Sequence, residues 1–151
     1  MGLKLKLRPF EKFVVNGVVI ENGSHRNTLT VANHAQVMTG RSILQAEEAT
    51  TPVKRTYYAI QAMLIDPAGM EGHRRTYEPL IAQVVEAIRE PGMARHLRDA
   101  AGFVDTGDHY KALAALRPVI AYEALLLEAM EAAARDPAPP AADPVWDGAG
   151  V

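Results

Sequence analysis

FVVNGVVIENG, residues 13–23, places two short apolar runs on either side of Asn16-Gly17. Asn-Gly between β-branched runs is the strongest short-range hairpin signal, because both turn positions need a positive φ that these residues tolerate. A second such pair, Asn22-Gly23, follows at once and predicts another turn. The stretch therefore predicts antiparallel β structure in the first third of the chain.

The flanking residues extend this β structure in both directions. Residues 3–8 alternate between apolar and basic side chains, the period-2 pattern of a strand with one face in the core. The apolar residues are Leu3, Leu5 and Leu7, and the basic residues are Lys4, Lys6 and Arg8. Further short strands are expected at 28–31 and 36–39, with a corner at 40–42 that leads to Ile43-Leu44. We expect a small antiparallel β-module of four or five strands over residues 3–44, too small to bury its core unaided.

From Glu47 onward the hydrophobic spacing becomes helical. Thr50 or Thr51 can cap a first helix that has Pro52 at its first position, and residues 66–69 (DPAG) end it. A second helix is expected through residues 77–88, with Pro79 tolerable only if it lies in the first turn. A short helix over residues 93–101 is expected to end at Gly102. A last helix over 108–135 is expected to kink or split at Pro118.

These elements predict an α+β fold in which four or five helices follow the β-module. We divide the chain into a β-module (1–46) and a helical region (47–135) that packs with it as one domain. Residues 136–151 contain four prolines and predict a flexible, disordered tail rich in Pro and Ala. The only tryptophan, Trp146, lies in this tail. It either rests on the protein's own surface or anchors a partner.

The sequence argues against catalysis and against a metal or other cofactor. It has no cysteine, which excludes disulfides, thiol nucleophiles and iron–sulfur clusters. Neither serine lies in a nucleophile elbow, no phosphate-binding glycine loop occurs, and the five histidines never pair at helical metal-site spacing. No apolar run approaches the roughly 18 residues of a membrane helix. We therefore expect a cytoplasmic, non-enzymatic protein.

The charge is distributed unevenly along the chain. Residues 1–58 hold eight basic and four acidic residues, a net charge of +4, whereas the whole chain carries −2. A basic first third favours an anionic partner, and basic residues beside an exposed aromatic suit single-stranded RNA. Equally, lysines on an edge strand protect against aggregation, and an aromatic ring can simply pack. The candidate RNA-binding residues are Lys4, Lys6, Arg8, Lys12, Arg26, Arg41, Lys54, Arg55 and Tyr58.

Three segments together resemble the FlbT family of bacterial flagellin regulators. They are LKLRPFEKFVVNGVVIENGSHRNTLTV from residue 5, AQVMTGRSILQAEEATTPVKRTYYAIQAMLID from residue 35, and HYKALAALRPVIAYE from residue 109. The resemblance covers roughly residues 3–128, and TTPVKRTYY (residues 50–58) is its most specific part. Many members have glycine at the position of Phe10, so a turn that glycine would allow is expected to differ here.

The resemblance implies a post-transcriptional regulator of flagellum biogenesis. Such proteins associate with the 5′ untranslated region of flagellin mRNA, reduce its translation and promote its decay, although some members resemble activators. The competing hypothesis is an adaptor that binds a flagellin, a FlaF-type protein or another assembly factor through its helices and tail, without touching RNA. The small β-module also favours a homodimer.

Overall fold

The computed structural model describes residues 2–135 and confirms the α+β fold. Two compact units are present, Met1–Ile120 and Ala121–Val151. The described part of the second unit is helical. The predicted tail at 136–151, with Trp146, lies outside the described residues. The strands are β1 (Leu3–Leu7), β2 (Lys12–Val15), β3 (Val18–Glu21), β4 (Asn27–Val31) and β5 (Val37–Met38), and the α-helices are α1 (Pro52–Ile65), α2 (Met70–Ala87), α3 (Pro91–Asp105) and α4 (His109–Arg135).

The five strands form two small antiparallel sheets. β1 pairs with β4, and β2 lies between β3 and β5. Asn16 and Gly17 have φ values of 48° and 84°, which confirms the two-residue hairpin between β2 and β3. The hydroxyl oxygen of Tyr110 accepts a 2.7 Å hydrogen bond from the Gly17 amide, so the start of α4 holds this turn in place.

The alternation along β1 is confirmed for two of its three leucines. Leu5 and Leu7 are buried with Phe13, whereas Leu3 is 52% exposed. The expectation that Leu3 enters the core was therefore wrong. Leu3 is the first residue of its strand and pairs with Val31 at the outer end of a two-stranded sheet, which offers too little area to cover it.

The first helix begins as the sequence predicts. The Thr51 hydroxyl accepts a hydrogen bond from the Lys54 amide, and Pro52 occupies the first helical position. Val53, Ile60 and Met63 from this helix are fully buried. Short 3₁₀ turns at Gly40–Ser42, Ala46–Glu48 and Pro67–Gly69 connect the elements around it.

Two helices differ from the expected bounds, and a third is not split. Pro79 lies well inside α2 rather than in its first turn, α3 continues through Gly102, and α4 runs unsplit through Pro118. Both prolines are exposed, so water can satisfy the carbonyl groups that lose their helical partners. Buried side chains on each helix, such as Val104 beyond Gly102, offset the unfavourable propensity of the breaker.

Within residues 2–135, no helix combines the length and the apolar character needed to span a lipid bilayer.

Gln61 provides a test of how α1 holds the segment that follows β5. Its amide oxygen accepts a 2.8 Å bond from the Leu44 amide, and its nitrogen donates a 2.8 Å bond to the Leu44 carbonyl. Gln61→Ala leaves both backbone groups without these partners, and we expect the free energy of unfolding to fall by about 1–3 kcal/mol. Urea denaturation measures the change. Gln36→Ala, at an exposed side chain, is the control, and equal stability of the two variants would contradict the assignment.

Candidate nucleic-acid interface

Five exposed cations of the first unit line two open pockets that share Lys6 and Arg8. The larger pocket, about 820 Å³, also has Lys12 and Arg41 in its wall. The smaller pocket, about 530 Å³, is completed by Arg26. We call the two together the basic cleft, and its cations are Lys6, Arg8, Lys12, Arg26 and Arg41.

The strand register explains why these cations meet. Leu5 and Leu7 face the core, so Lys6 between them faces solvent. Lys6 pairs with Thr28 on β4, which brings the beginning of β4 and the preceding Arg26 beside β1. Lys12 is the first residue of β2 and directly follows the turn after β1.

The turn from Arg8 to Glu11 connects β1 to β2 and lines the larger pocket. The Glu11 amide donates a 3.1 Å bond to the Arg8 carbonyl, and the Glu11 carboxylate accepts a 2.9 Å bond from the Arg8 amide. Phe10 has a φ of 60°, and its amide donates a 2.9 Å bond to the carbonyl of Gly23. The turn thus has the positive φ that glycine would adopt, although phenylalanine occupies the position. A bulky residue in this region costs roughly 1–2 kcal/mol.

Asn22 organises the loop beside this turn. Its side-chain nitrogen donates a 2.7 Å bond to the Arg8 carbonyl and a 2.9 Å bond to the His25 carbonyl, and its oxygen accepts a 2.9 Å bond from Asn27. The side chain is buried. The expectation that Asn22-Gly23 repeats the preceding hairpin turn was wrong, because the buried amide of Asn22 instead joins the ends of β1 and β4.

The wall that carries Arg41 is fastened to α1. The buried Tyr57 hydroxyl donates a hydrogen bond to the carbonyl of Ser42, and Gln61 bonds both backbone groups of Leu44. Burial raises the pKa of Tyr57, against a smaller lowering by Arg117, which keeps the hydroxyl protonated as a donor. Gly40 permits a close approach on the other side, since a Cβ there would lie 3.1 Å from the Lys12 carbonyl oxygen.

The cleft has a positive charge that the surrounding residues leave largely uncompensated. None of its five cations forms an ion pair with any residue of the described chain, 2–135. Glu11 lines the larger pocket and accepts the Arg8 amide bond, and its single negative charge offsets one of the five positive charges. The same part of the chain contains no cluster of three or more histidine, aspartate or glutamate side chains placed to hold a metal. Unpaired cations around an open concavity suit an anionic ligand.

The other predicted site residues lie outside the basic cleft. Lys4 is exposed on β1 and Arg55 is exposed on α1, but neither lines the two pockets, and the same holds for the half-buried Lys54. Tyr58 is 37% exposed and lines an adjoining, mostly apolar pocket that shares Lys12 and Ile43 with the larger pocket of the cleft.

The spacing of three residues between Tyr58 and Gln61 predicts that both lie on the solvent-facing side of α1, but Gln61 is buried. It is buried because it satisfies the backbone of Leu44.

Sequence reasoning missed Phe10, Asn22 and Gly40 as residues that shape the site. An Asn-Gly pair after a strand predicts a turn, and no local pattern indicates that the Asn22 side chain is buried. One signal for Phe10 was available in the sequence. An aromatic residue two positions after a cation, within a turn, is poorly placed to enter the core.

The comparisons with known proteins agree over most of the chain. The sequence model described as "Flagellar protein FlbT" matches residues 3–127. This chain belongs to the FlbT family. A "Probable flagellum biosynthesis repressor protein FlbT" of Caulobacter sp. (strain K31) is 37% identical over 123 residues, covering 82% of this chain and 94% of the relative.

Other FlbT relatives show similar coverage. The "Flagellum biosynthesis repressor protein FlbT" of Caulobacter vibrioides (strain ATCC 19089 / CIP 103742 / CB 15) is 33% identical over 82% of this chain and 87% of its own length. A "Probable flagellum biosynthesis repressor protein FlbT" of Rhodopseudomonas palustris (strain TIE-1) is 34% identical over 84% and 98%, respectively. No solved structure matches the chain.

The segment that most specifically resembles FlbT proteins, residues 50–58, is largely structural in this chain. Thr51 caps α1, Thr56 donates a 2.8 Å bond to the Pro52 carbonyl, and Tyr57 holds the carbonyl of Ser42. This FlbT segment therefore positions the wall that carries Arg41, and its own Lys54 and Arg55 lie outside the cleft.

Asn22→Ala tests whether the side-chain amide of Asn22 holds the turn from Arg8 to Glu11 in place. Without it, the carbonyls of Arg8 and His25 each lose one of their two hydrogen bonds, and we expect the amides of Phe10 and Glu11 to exchange with solvent at least about fivefold faster, equivalent to 1 kcal/mol of local opening. Hydrogen–deuterium exchange read by mass spectrometry measures the rates. The exposed Asn33→Ala is the control. Equal exchange rates in both variants would show that the turn is stable without the Asn22 side chain.

Proposed function

We propose that this protein is a post-transcriptional repressor of flagellum biosynthesis that binds the 5′ untranslated region of flagellin mRNA in the cytoplasm. The observation that carries the proposal is the basic cleft, in which five exposed cations without ion-pair partners among the described residues line two open pockets that share Lys6 and Arg8. Membership of the FlbT family and the repressor names of its relatives support the regulatory part.

The chemistry of the cleft suits a phosphate backbone. Lysines neutralise phosphates as point charges, and arginines can form paired hydrogen bonds with phosphates or stack on bases. Exposed cations lose little hydration when they bind a flexible strand, and release of counterions favours association at low salt. Binding in the leader represses translation by excluding the ribosome, and decay of the silenced mRNA follows through cellular nucleases. The protein itself needs no reacting group for this mechanism.

The chain offers a charge-matched test of the cleft. We expect Lys6→Ala/Arg8→Ala/Arg41→Ala to weaken binding to the host's flagellin leader by about tenfold or more, and to lower the salt slope by roughly 2, at about 0.7 per lost phosphate contact. Lys4→Ala/Lys54→Ala/Arg55→Ala removes the same charge outside the cleft and should have a small effect. Fluorescence anisotropy at two salt concentrations, with a scrambled leader in parallel, measures both quantities.

The two charge variants separate the possible results. Equal losses in both variants would contradict the assignment to the cleft and would indicate diffuse charge attraction. Equal affinity of the wild-type protein for the true and scrambled leaders would contradict specific recognition of the flagellin mRNA.

A second candidate function, a protein-binding adaptor, is supported by the apolar surface of the second unit. Leu125 and Met130 are 65% and 66% exposed, and Leu126 and Leu127 are also solvent-accessible. Leu126, Leu127 and Met130 lie on one side of the helix by their spacing, and an exposed apolar helix face is a common protein-binding surface. A flagellin or a FlaF-type protein is the proposed partner. Within the first unit, the exposed apolar strand β3, at the edge of its sheet, supports the homodimer expected from the sequence.

Leu125→Gln/Met130→Gln tests the adaptor function. We expect this variant to bind purified flagellin or FlaF-type protein of the same organism at least about tenfold more weakly, because two apolar anchors are lost. Its affinity for the leader RNA should not change. Isothermal titration calorimetry measures the protein affinity, with the exposed Val85→Gln on α2 as control. Undiminished partner binding would exclude this surface, and sedimentation of the protein alone reports a second copy as the partner.

A further inference from the structure

We propose that Phe10 is a stacking platform for one unpaired nucleobase, with the phosphates of the same strand against the cations of the basic cleft. The cleft is then selective for single-stranded over duplex RNA. This inference rests on the RNA binding proposed above and adds to it the form of RNA and the residue that selects it.

The first argument is the exposure of the ring. Phe10 is 63% exposed, in a chain whose other two phenylalanines, Phe13 and Phe103, are buried and half-buried. The ring lines the larger pocket beside Lys6, Arg8 and Arg41. Core packing therefore does not account for its position.

The second argument is the backbone beneath the ring. Phe10 has a φ of 60°, a region that bulky side chains rarely adopt and that glycine or asparagine adopts readily. The hydrogen bond from its amide to the Gly23 carbonyl and the closing bond from the Glu11 amide to the Arg8 carbonyl hold it there. Strained, over-determined backbone is concentrated at functional sites. A strained turn that presents an exposed ring is best explained by a ligand for that ring.

The third argument is the chemistry of the surroundings. Of the described residues that line the two pockets, Phe10 alone is aromatic, and five others carry positive charge. An aromatic face with cations around it matches a single strand, in which a base can leave its neighbours while its phosphates stay in reach. In a duplex the bases are paired and stacked, so the ring finds no free face, and only the phosphates can interact.

Tyr58 does not serve this purpose, because it lines neither pocket of the basic cleft and lies in an adjoining, mostly apolar pocket. Its replacement by phenylalanine, Tyr58→Phe, or its removal, Tyr58→Ala, should therefore leave the preference for single-stranded RNA unchanged.

The experiment compares Phe10→Gly and Phe10→Trp on three short RNAs. Phe10→Gly removes the ring but adopts the same turn without strain, so the fold is retained, and thermal unfolding verifies this. Phe10→Trp keeps a stacking face. The RNAs are an unpaired strand from the leader, the same strand annealed to its complement, and a strand of equal length in which every base is absent. Anisotropy gives each dissociation constant.

We expect Phe10→Gly to bind the unpaired strand roughly 5- to 150-fold more weakly, the range for one stacked base. Its binding to the duplex and to the base-free strand should be unchanged, and Phe10→Trp should bind all three RNAs like the wild type. A strand with one 5-iodouridine, cross-linked by light and mapped by mass spectrometry, should be attached at Phe10.

Three different failures are distinguishable. Unpaired-strand binding that survives Phe10→Gly but is lost in Lys6→Ala/Arg8→Ala/Arg41→Ala would overturn the stacking role and leave the proposed RNA binding intact. If the wild type bound none of the three RNAs, both the stacking role and the proposed RNA binding would be overturned. Equal wild-type affinity for the unpaired and base-free strands would show that charge alone holds the RNA.

Discussion

The β-strands of this chain bury only a small apolar core of their own, around Leu5, Leu7 and Phe13, and this constraint determines how the rest of the first unit is arranged. The strands therefore share a core with the helices. Met38 at the end of β5 and Tyr57 on α1 are both buried, and the Tyr57 hydroxyl lies 3.9 Å from the Met38 sulfur. A buried hydroxyl requires a partner, and Tyr57 finds it in the carbonyl of Ser42. The segment between the sheet and α1 is thereby held by hydrogen bonds as well as by apolar contacts.

The basic cleft is a consequence of that arrangement. One wall belongs to β1 and the turn after it, and the other belongs to the 3₁₀ turn at Gly40–Ser42. Asn22 ties the first wall to the loop that precedes β4, while Tyr57 and Gln61 tie the second to α1. The cations themselves remain exposed, but the backbone that presents them is held by hydrogen bonds. A flexible, anionic ligand would therefore bear most of the ordering cost on binding.

Local patterns predicted the parts of the fold that local physics determines. Asn16-Gly17 gave the hairpin because the turn requires positive φ at two adjacent residues, and Thr51 with Pro52 gave the start of α1. The helix boundaries at Pro79 and Gly102 were missed because buried contacts elsewhere on those helices outweigh a single unfavourable residue. Five of the nine predicted site residues line the cleft, since alternation along β1 and loop position indicate exposure. The spacing on α1 could not show that Gln61 is buried, because its partner is a backbone seventeen residues away.

Under the proposed function, the separation of charge from apolar exposure would let one small protein both bind RNA and respond to assembly. The cations of the cleft belong to the first unit, and Leu125 to Met130 belong to the second. Exposed cations give fast, salt-dependent and readily reversible association, which suits a repressor that must release its message. An apolar helix surface gives slower exchange with a protein partner. Under the proposed function, a partner on that surface that changed the affinity for RNA would couple the two ligands. Coupling of this kind is reciprocal, so RNA must alter the partner's affinity by the same factor.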